Sequence, residues 1–166
     1  TSNQDLRDII GRLRKEIPDI CLRTTLIAGF PGETKEDHEQ VMEFVDEMQF
    51  DRLGVFTYSA EENTPAATFP DQIEEEQKEE WRGEIMELQQ EIAFDKAADM
   101  IGWEGYVLIE GKVADENVYV GRTYKDAPNV DGMVFVHSAE EFMSGDFVKI
   151  KVTGSYEYDL IGEVLS

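Results

Sequence analysis

Apolar residues at the start of the chain recur with two different periods. Leu6, Ile9, Ile10, Leu13 and Ile17 follow helical spacing, which predicts a first helix with one apolar face, capped by Ser2 or Asn3 and closed by Pro18. Leu26, Ile27 and Ala28 form a continuous apolar run, the texture of a strand covered on both faces. Val41, Phe44, Val45 and Met48 return to helical spacing in a helix expected from Thr34 to about Gln49. Thr34 is its N-cap and Asp37 takes the acidic place of a capping box. Arg52 to Tyr58 reads as a second strand. Strand, helix, strand in this span is a right-handed βαβ unit with parallel strands.

A polar loop follows from Ala60 to Gln72, and then a long helix from about Ile73 to Met100 whose seam is Trp81, Ile85, Leu88 and Ile92. From Trp103 the texture changes to short alternating runs broken by turn residues. Tyr106–Ile109, Val118–Arg122, Met133–Val136, Phe147–Val152 and Leu160–Val164 predict five strands closing into a small OB-like barrel. The fold class is thus α/β plus all-β. Residues 1–70 form an α/β portion, 71–100 a linker helix and 101–166 a β-barrel domain. A lone βαβ unit leaves both strands wanting neighbours, so residues 1–70 read as the end of a larger α/β barrel. The start at Thr1 points the same way, to a part of a longer protein.

The first strand runs into Gly29-Phe30-Pro31-Gly32-Glu33-Thr34, a tight turn into a helix start. In parallel α/β proteins ligands sit where a strand's C-terminal end meets a helix N-terminus. The turn is not a phosphate loop, because no Gly-Lys-Ser/Thr follows. Nor does it have the dinucleotide spacing, and Glu33 would repel a phosphate. A cationic or zwitterionic ligand held by backbone groups suits it better. A plain structural βα turn is the alternative. Tyr58 and Ser59 are expected at the neighbouring strand end, beside Phe30. Cys21, the one cysteine, excludes an internal disulfide and reads as a small buried strand residue. His38 is expected on a helix surface and His137 at a strand end, with no spacing that suggests a metal site.

Charge narrows the partners. The 166 residues carry 37 acidic and 15 basic side chains, a net −22. Non-specific binding to nucleic acid needs Lys and Arg to displace counterions, so it is disfavoured, and a basic partner is the natural complement. Residues 1–33 are balanced, and the excess lies from Thr34 onward. No apolar run approaches a membrane span and no signal peptide is visible, which makes the cytoplasm the expected location. The loop from Tyr124 to Gly132 is too long for a hairpin turn and reads as a recognition loop or a plain connector.

Several segments carry a family likeness. They are Arg23-Thr24-Thr25 through Gly-Phe-Pro-Gly-Glu-Thr, Phe50 to Ser59, Leu88 to Ile92, Tyr119 to Thr123, the Asp126-Ala127-Pro128 to Val130-Asp131-Gly132 loop, and Glu157 to Gly162. In this order they resemble the C-terminal part of a radical S-adenosylmethionine methylthiotransferase: the end of a partial barrel, a linker helix and a TRAM domain. The Asp-Ala-Pro…Val-Asp-Gly form and the acidic surface resemble the branch that modifies an aspartate β-carbon in a small-subunit ribosomal protein. The resemblance implies S-adenosylmethionine and two [4Fe-4S] clusters in the full-length protein. The cluster-binding cysteines are absent from this stretch, so it should be inactive alone. It further implies cofactor contacts at Ile27, Gly29, Gly32, Phe56 and Tyr58, and contacts to the basic protein substrate at Asp126, Asp131 and Glu157. Two alternatives stay open: a transfer-RNA-adenosine methylthiotransferase with an RNA-binding TRAM domain, and a non-enzymatic acidic interaction module.

Overall fold

The computed structural model describes residues 2–165 and divides into two compact units, Thr1–Ile92 and Ala93–Ser166. In the first, helix α1 spans Asn3–Glu16, strand β1 Arg23–Ala28, helix α2 Lys35–Met48 and strand β2 Arg52–Thr57. Helix α3, Glu75–Asp99, runs from the first unit into the second. Ser2 and Thr34 cap α1 and α2, each in a reciprocal capping box closed by Asp5 and Asp37. The two boxes satisfy N-terminal amides that no intrahelical carbonyl reaches. Gln49 ends α2 in the left-handed region at φ 50°. The loop before α3 contains a short 3₁₀ turn at Pro65–Thr68.

Strands β1 and β2 pair in parallel, from Arg23 opposite Arg52 to Ala28 opposite Thr57. Their two faces differ. Leu26, Ala28, Leu53 and Val55 pack with Val45, Met48, Trp81, Ile85 and Ile92 in one core. On the other face Ile27 and Phe56, register partners, are 60% and 64% exposed. The strand is therefore covered on one face rather than two. Its apolar run concealed a period of two, because Ile27 points away from its neighbours Leu26 and Ala28.

Two smaller expectations also change. His38 is buried, not on the surface: its ring stacks on Trp81 at 5.2 Å and its Nε2 lies 2.6 Å from a Glu84 carboxylate oxygen. Its spacing to Val41, Val45 and Met48 places it on the buried stripe of α2. Cys21 lies just before β1, half-buried, rather than within the strand.

In the second unit, β3 (Glu104–Lys112), β4 (Val118–Arg122), β5 (Val134–His137), β6 (Phe147–Tyr156) and β7 (Asp159–Val164) close a barrel in the order β3-β4-β5-β7-β6. The β5–β7 pair is parallel and the other pairs are antiparallel. Closure leaves no open edge. Alternation decides what faces inward: in β6, Val148, Ile150 and Val152 are buried while Phe147, Lys149 and Lys151 are exposed. The inward residues join Val107, Ile109, Tyr119, Val134, Val136 and Leu160 in a second core.

Candidate functional site

The C-terminal end of the parallel sheet is built around the Gly29–Thr34 turn. Gly29 takes φ +76° and Gly32 φ +86°, conformations that L side chains adopt only at a cost. The Glu33 carboxylate folds back to accept the N–H groups of Gly29 at 2.7 Å and Phe30 at 3.1 Å. The Gly32 N–H donates to the Asp71 carbonyl at 2.9 Å, tying the turn to the loop before α3. The Tyr58 N–H donates to the Ala28 carbonyl at 2.8 Å, joining the two strand ends. Two backbone donors that a bound anion would need are thus already taken by an internal carboxylate.

The aromatic residues complete this end. Phe30 meets Tyr58 edge to face at 5.2 Å and Phe69 at 6.3 Å. Tyr58 is buried, and its hydroxyl has no hydrogen-bond partner among the described residues. Ile27 and Phe56 stand exposed on the open sheet face, while nothing lies within 4 Å of a Cβ built at Gly32. The arrangement offers an apolar platform and an open glycine backbone, with the unpaired Tyr58 hydroxyl enclosed within the fold. That combination suits a flat, largely apolar group with a few polar atoms.

Lys78 was not legible as part of this end. It is 4% exposed, and its Nζ donates to the Tyr58 carbonyl at 3.1 Å and to Glu75 at 2.5 Å. Its stem fills the space beside Gly29, where an added Cβ would stand 2.3 Å from Lys78 Cγ. The signal lay in the spacing: Lys78, Trp81, Ile85 and Ile92 fall on one helical stripe, and a charge in that phase has to be accommodated. Gln89 shares the buried side and donates to the Phe50 carbonyl at 2.9 Å.

In the barrel unit, Asp126 and Asp131 shape their own loop. The Asp126 carboxylate accepts from the Thr123 N–H at 3.0 Å and hydroxyl at 2.9 Å. Asp131 accepts from the Ala127 N–H at 2.6 Å. Glu157 is exposed at the β6–β7 turn, with φ 51°. The loop and this turn meet: a Cβ at Gly132 would lie 2.1 Å from the Tyr158 carbonyl oxygen, and the Met133 N–H donates to Asp159 at 2.8 Å. The three acidic residues therefore belong to one end of the barrel.

Residues 101–165 match the family model of the TRAM domain. The chain is 57% identical to a protein of Lachnoclostridium phytofermentans over 98% of its own length and 37% of that protein. It is 48% identical to one of Desulfitobacterium hafniense, covering 98% of this chain and 36% of the relative. The corresponding figures for one of Geobacter sulfurreducens are 45%, 100% and 37%. All three are named ribosomal protein uS12 methylthiotransferase. Over nearly its whole length the chain is similar to proteins of that name. It spans a little over a third of the length of these relatives.

The groups implied by the resemblance to radical S-adenosylmethionine methylthiotransferases are met differently by the residues present. The strand ends carry the apolar surface and open glycine backbone that an adenosyl group would need. The iron–sulfur clusters do not fit here: the sequence has one cysteine, and among the described residues no group of three or more His, Cys, Asp or Glu is placed to hold a metal. Among the described residues, no helix is long and apolar enough to cross a membrane.

Proposed function

We propose that this chain is a segment of a radical S-adenosylmethionine methylthiotransferase that replaces a hydrogen on an aspartate β-carbon of ribosomal protein uS12 with a methylthio group. The observation that carries the reading is the similarity, along 98–100% of the chain, to relatives named ribosomal protein uS12 methylthiotransferase. In this reading residues 1–70 close a partial barrel, 71–100 link it, and 101–166 form the TRAM domain. S-adenosylmethionine lies at the strand ends. Ile27 and Phe56 give its adenine an apolar surface and Gly32 lets it approach the backbone, while Gly29 and Tyr58 shape the strand ends. The bound cosubstrate supplies the methyl group and the radical chemistry. The clusters are held by residues outside this stretch, and the stretch alone is inactive.

The TRAM domain receives the basic ribosomal protein. Twelve acidic residues against five basic ones from Ile101 onward favour a cationic partner and repel phosphates. Glu157, exposed beside the Asp126–Gly132 loop, is the most accessible contact, while Asp126 and Asp131 also hold the loop in shape. The enzyme works in the cytoplasm, where its substrate is made. The reaction is tested with the full-length protein, its clusters reconstituted, incubated with S-adenosylmethionine, a reductant, a sulfur source and purified uS12. The expected result is a uS12 peptide heavier by a methylthio group in place of one hydrogen, mapped to an aspartate. Modification of transfer-RNA adenosine and not of uS12 would replace this reading with its tRNA counterpart.

A further inference from the structure

Lys78 is unusual in where its charge lies. Removing an ammonium from water is expensive unless hydrogen bonds compensate, and an apolar side chain would fill the same space without that cost. Yet Lys78 is 4% exposed among the apolar residues of the α3 seam. Two of its three N–H donors are engaged, by the Tyr58 carbonyl and by Glu75, itself largely exposed. The ammonium also lies 5.6 Å from the centre of the Tyr58 ring.

These contacts converge on one place. The carbonyl belongs to the first residue after β2, and the stem lies against Gly29, the first residue after β1. A single side chain from α3 therefore braces both strand ends. Glu33 holds Gly29 from its amide side, and Lys78 closes the side where a Cβ would project. Tyr58, whose hydroxyl is left unpaired, is held through its carbonyl by the same ammonium.

We infer that Lys78 is a positioning residue for cosubstrate binding. Its ammonium fixes the Tyr58 backbone, and its stem fixes Gly29, so that both strand ends present their ligand-facing groups in one arrangement. Lys78 touches no ligand itself. The inference rests on the reading that S-adenosylmethionine binds at these strand ends.

The test uses the full-length, cluster-loaded protein and measures S-adenosylmethionine affinity by equilibrium dialysis, with melting temperatures recorded in parallel. Lys78→Met keeps a stem of similar length but loses the ammonium. Lys78→Arg keeps a charged donor in a bulkier group. Positioning by charge predicts that Lys78→Met weakens binding about tenfold, while Lys78→Arg stays within about threefold of wild type. A packing role alone predicts the reverse order, because Met fits beside Gly29 better than Arg. Wild-type affinity in Lys78→Met, or weaker binding in Lys78→Arg than in Lys78→Met, overturns the inference and leaves the proposed function intact. If wild-type protein itself fails to bind S-adenosylmethionine, the proposed site falls and the inference with it. Should Lys78→Met not fold, Glu75→Gln on the surface probes the same ammonium by removing its counter-charge. A loss of about threefold is then expected, and unchanged affinity overturns the inference.

Discussion

Replacing Gly29 by alanine should be costly, and the structure says how the cost divides. At φ +76° an L residue carries a left-handed penalty of about 1–2 kcal/mol. The new Cβ would also stand 2.3, 2.9 and 3.0 Å from Cγ, Cδ and Cβ of Lys78. Those atoms belong to the buried part of the stem, so they cannot swing into solvent. Overpacking of this kind adds about 1–3 kcal/mol. Gly29→Ala should therefore lose about 2–5 kcal/mol in all.

The division is measurable because one part of the cost depends on Lys78 and the other does not. Lys78→Ala alone removes three methylenes from the core and should cost about 2 kcal/mol. In the double variant the alanine methyl enters space that Cγ and Cδ have vacated, so beyond the backbone penalty only the 3.0 Å contact with the Cβ of residue 78 is left. The pair should therefore be less destabilised than the sum of the single variants, by about 1–3 kcal/mol. Urea unfolding followed by Trp81 fluorescence reads this unit, with Trp103→Phe as the common background so that the barrel contributes no tryptophan signal. Additivity within about 0.5 kcal/mol would refute the packing argument, since uncoupled sites behave that way.

Other perturbations separate scaffold from site. Ile150→Ala in the barrel core, from a fully buried position, should cost about 2–5 kcal/mol and lower the melting temperature of that unit, read by circular dichroism. Phe56→Ser, at a position 64% exposed, should change stability by less than about 0.5 kcal/mol yet weaken S-adenosylmethionine binding by full-length protein, measured by calorimetry. Gly132→Ala drives a methyl into the Tyr158 carbonyl and should cost about 1–3 kcal/mol, together with a loss of uS12 affinity in a pull-down. The Asp37 carboxyl is held below the usual carboxylate range by the Thr34 N–H and then by the Thr34 hydroxyl. A depressed folded value means that its stabilisation is complete above the unfolded value near pH 4 and is lost as pH falls through the folded value. Asp37→Asn should therefore lower the melting temperature at pH 7 and have less effect near pH 2.

The barrel was the easier half to read. Its strands alternate strictly, as in Phe147 to Val152, and turn residues separate them, so period and punctuation agree. The helices followed from the same kind of agreement between caps and stripes. The sheet face was harder, because Leu26-Ile27-Ala28 is apolar throughout and shows no period, although only Ile27 is exposed. At His38 and Lys78 the polarity of the side chain points outward while its helical phase points inward, and phase decides. Both lie on helical stripes whose other members are buried, and each is held by partners remote in sequence: Trp81 and Glu84 for His38, Tyr58 for Lys78. Sequence spacing can mark such a residue as an exception, but it cannot name the group that satisfies it.

That difference bears on where the chain is vulnerable. The barrel is held redundantly: each strand pairs on both sides, and its core is a dense set of aliphatic side chains. Loss of one contact there removes stability while the register is still fixed by the others. The strand-end turn in the first unit has no such redundancy. Its conformation depends on the Glu33 carboxylate, the Asp71 carbonyl and Lys78, each of which meets a different backbone group. These contacts lie at the edge of the core, so replacing one should shift the turn without unfolding the unit. Backbone placement there has to hold to a fraction of an ångström for a ligand read through glycine peptides. Substitutions that spare stability but change cosubstrate binding should therefore include Glu33, whose carboxylate holds the turn from its exposed side, and stem-preserving changes such as Lys78→Met.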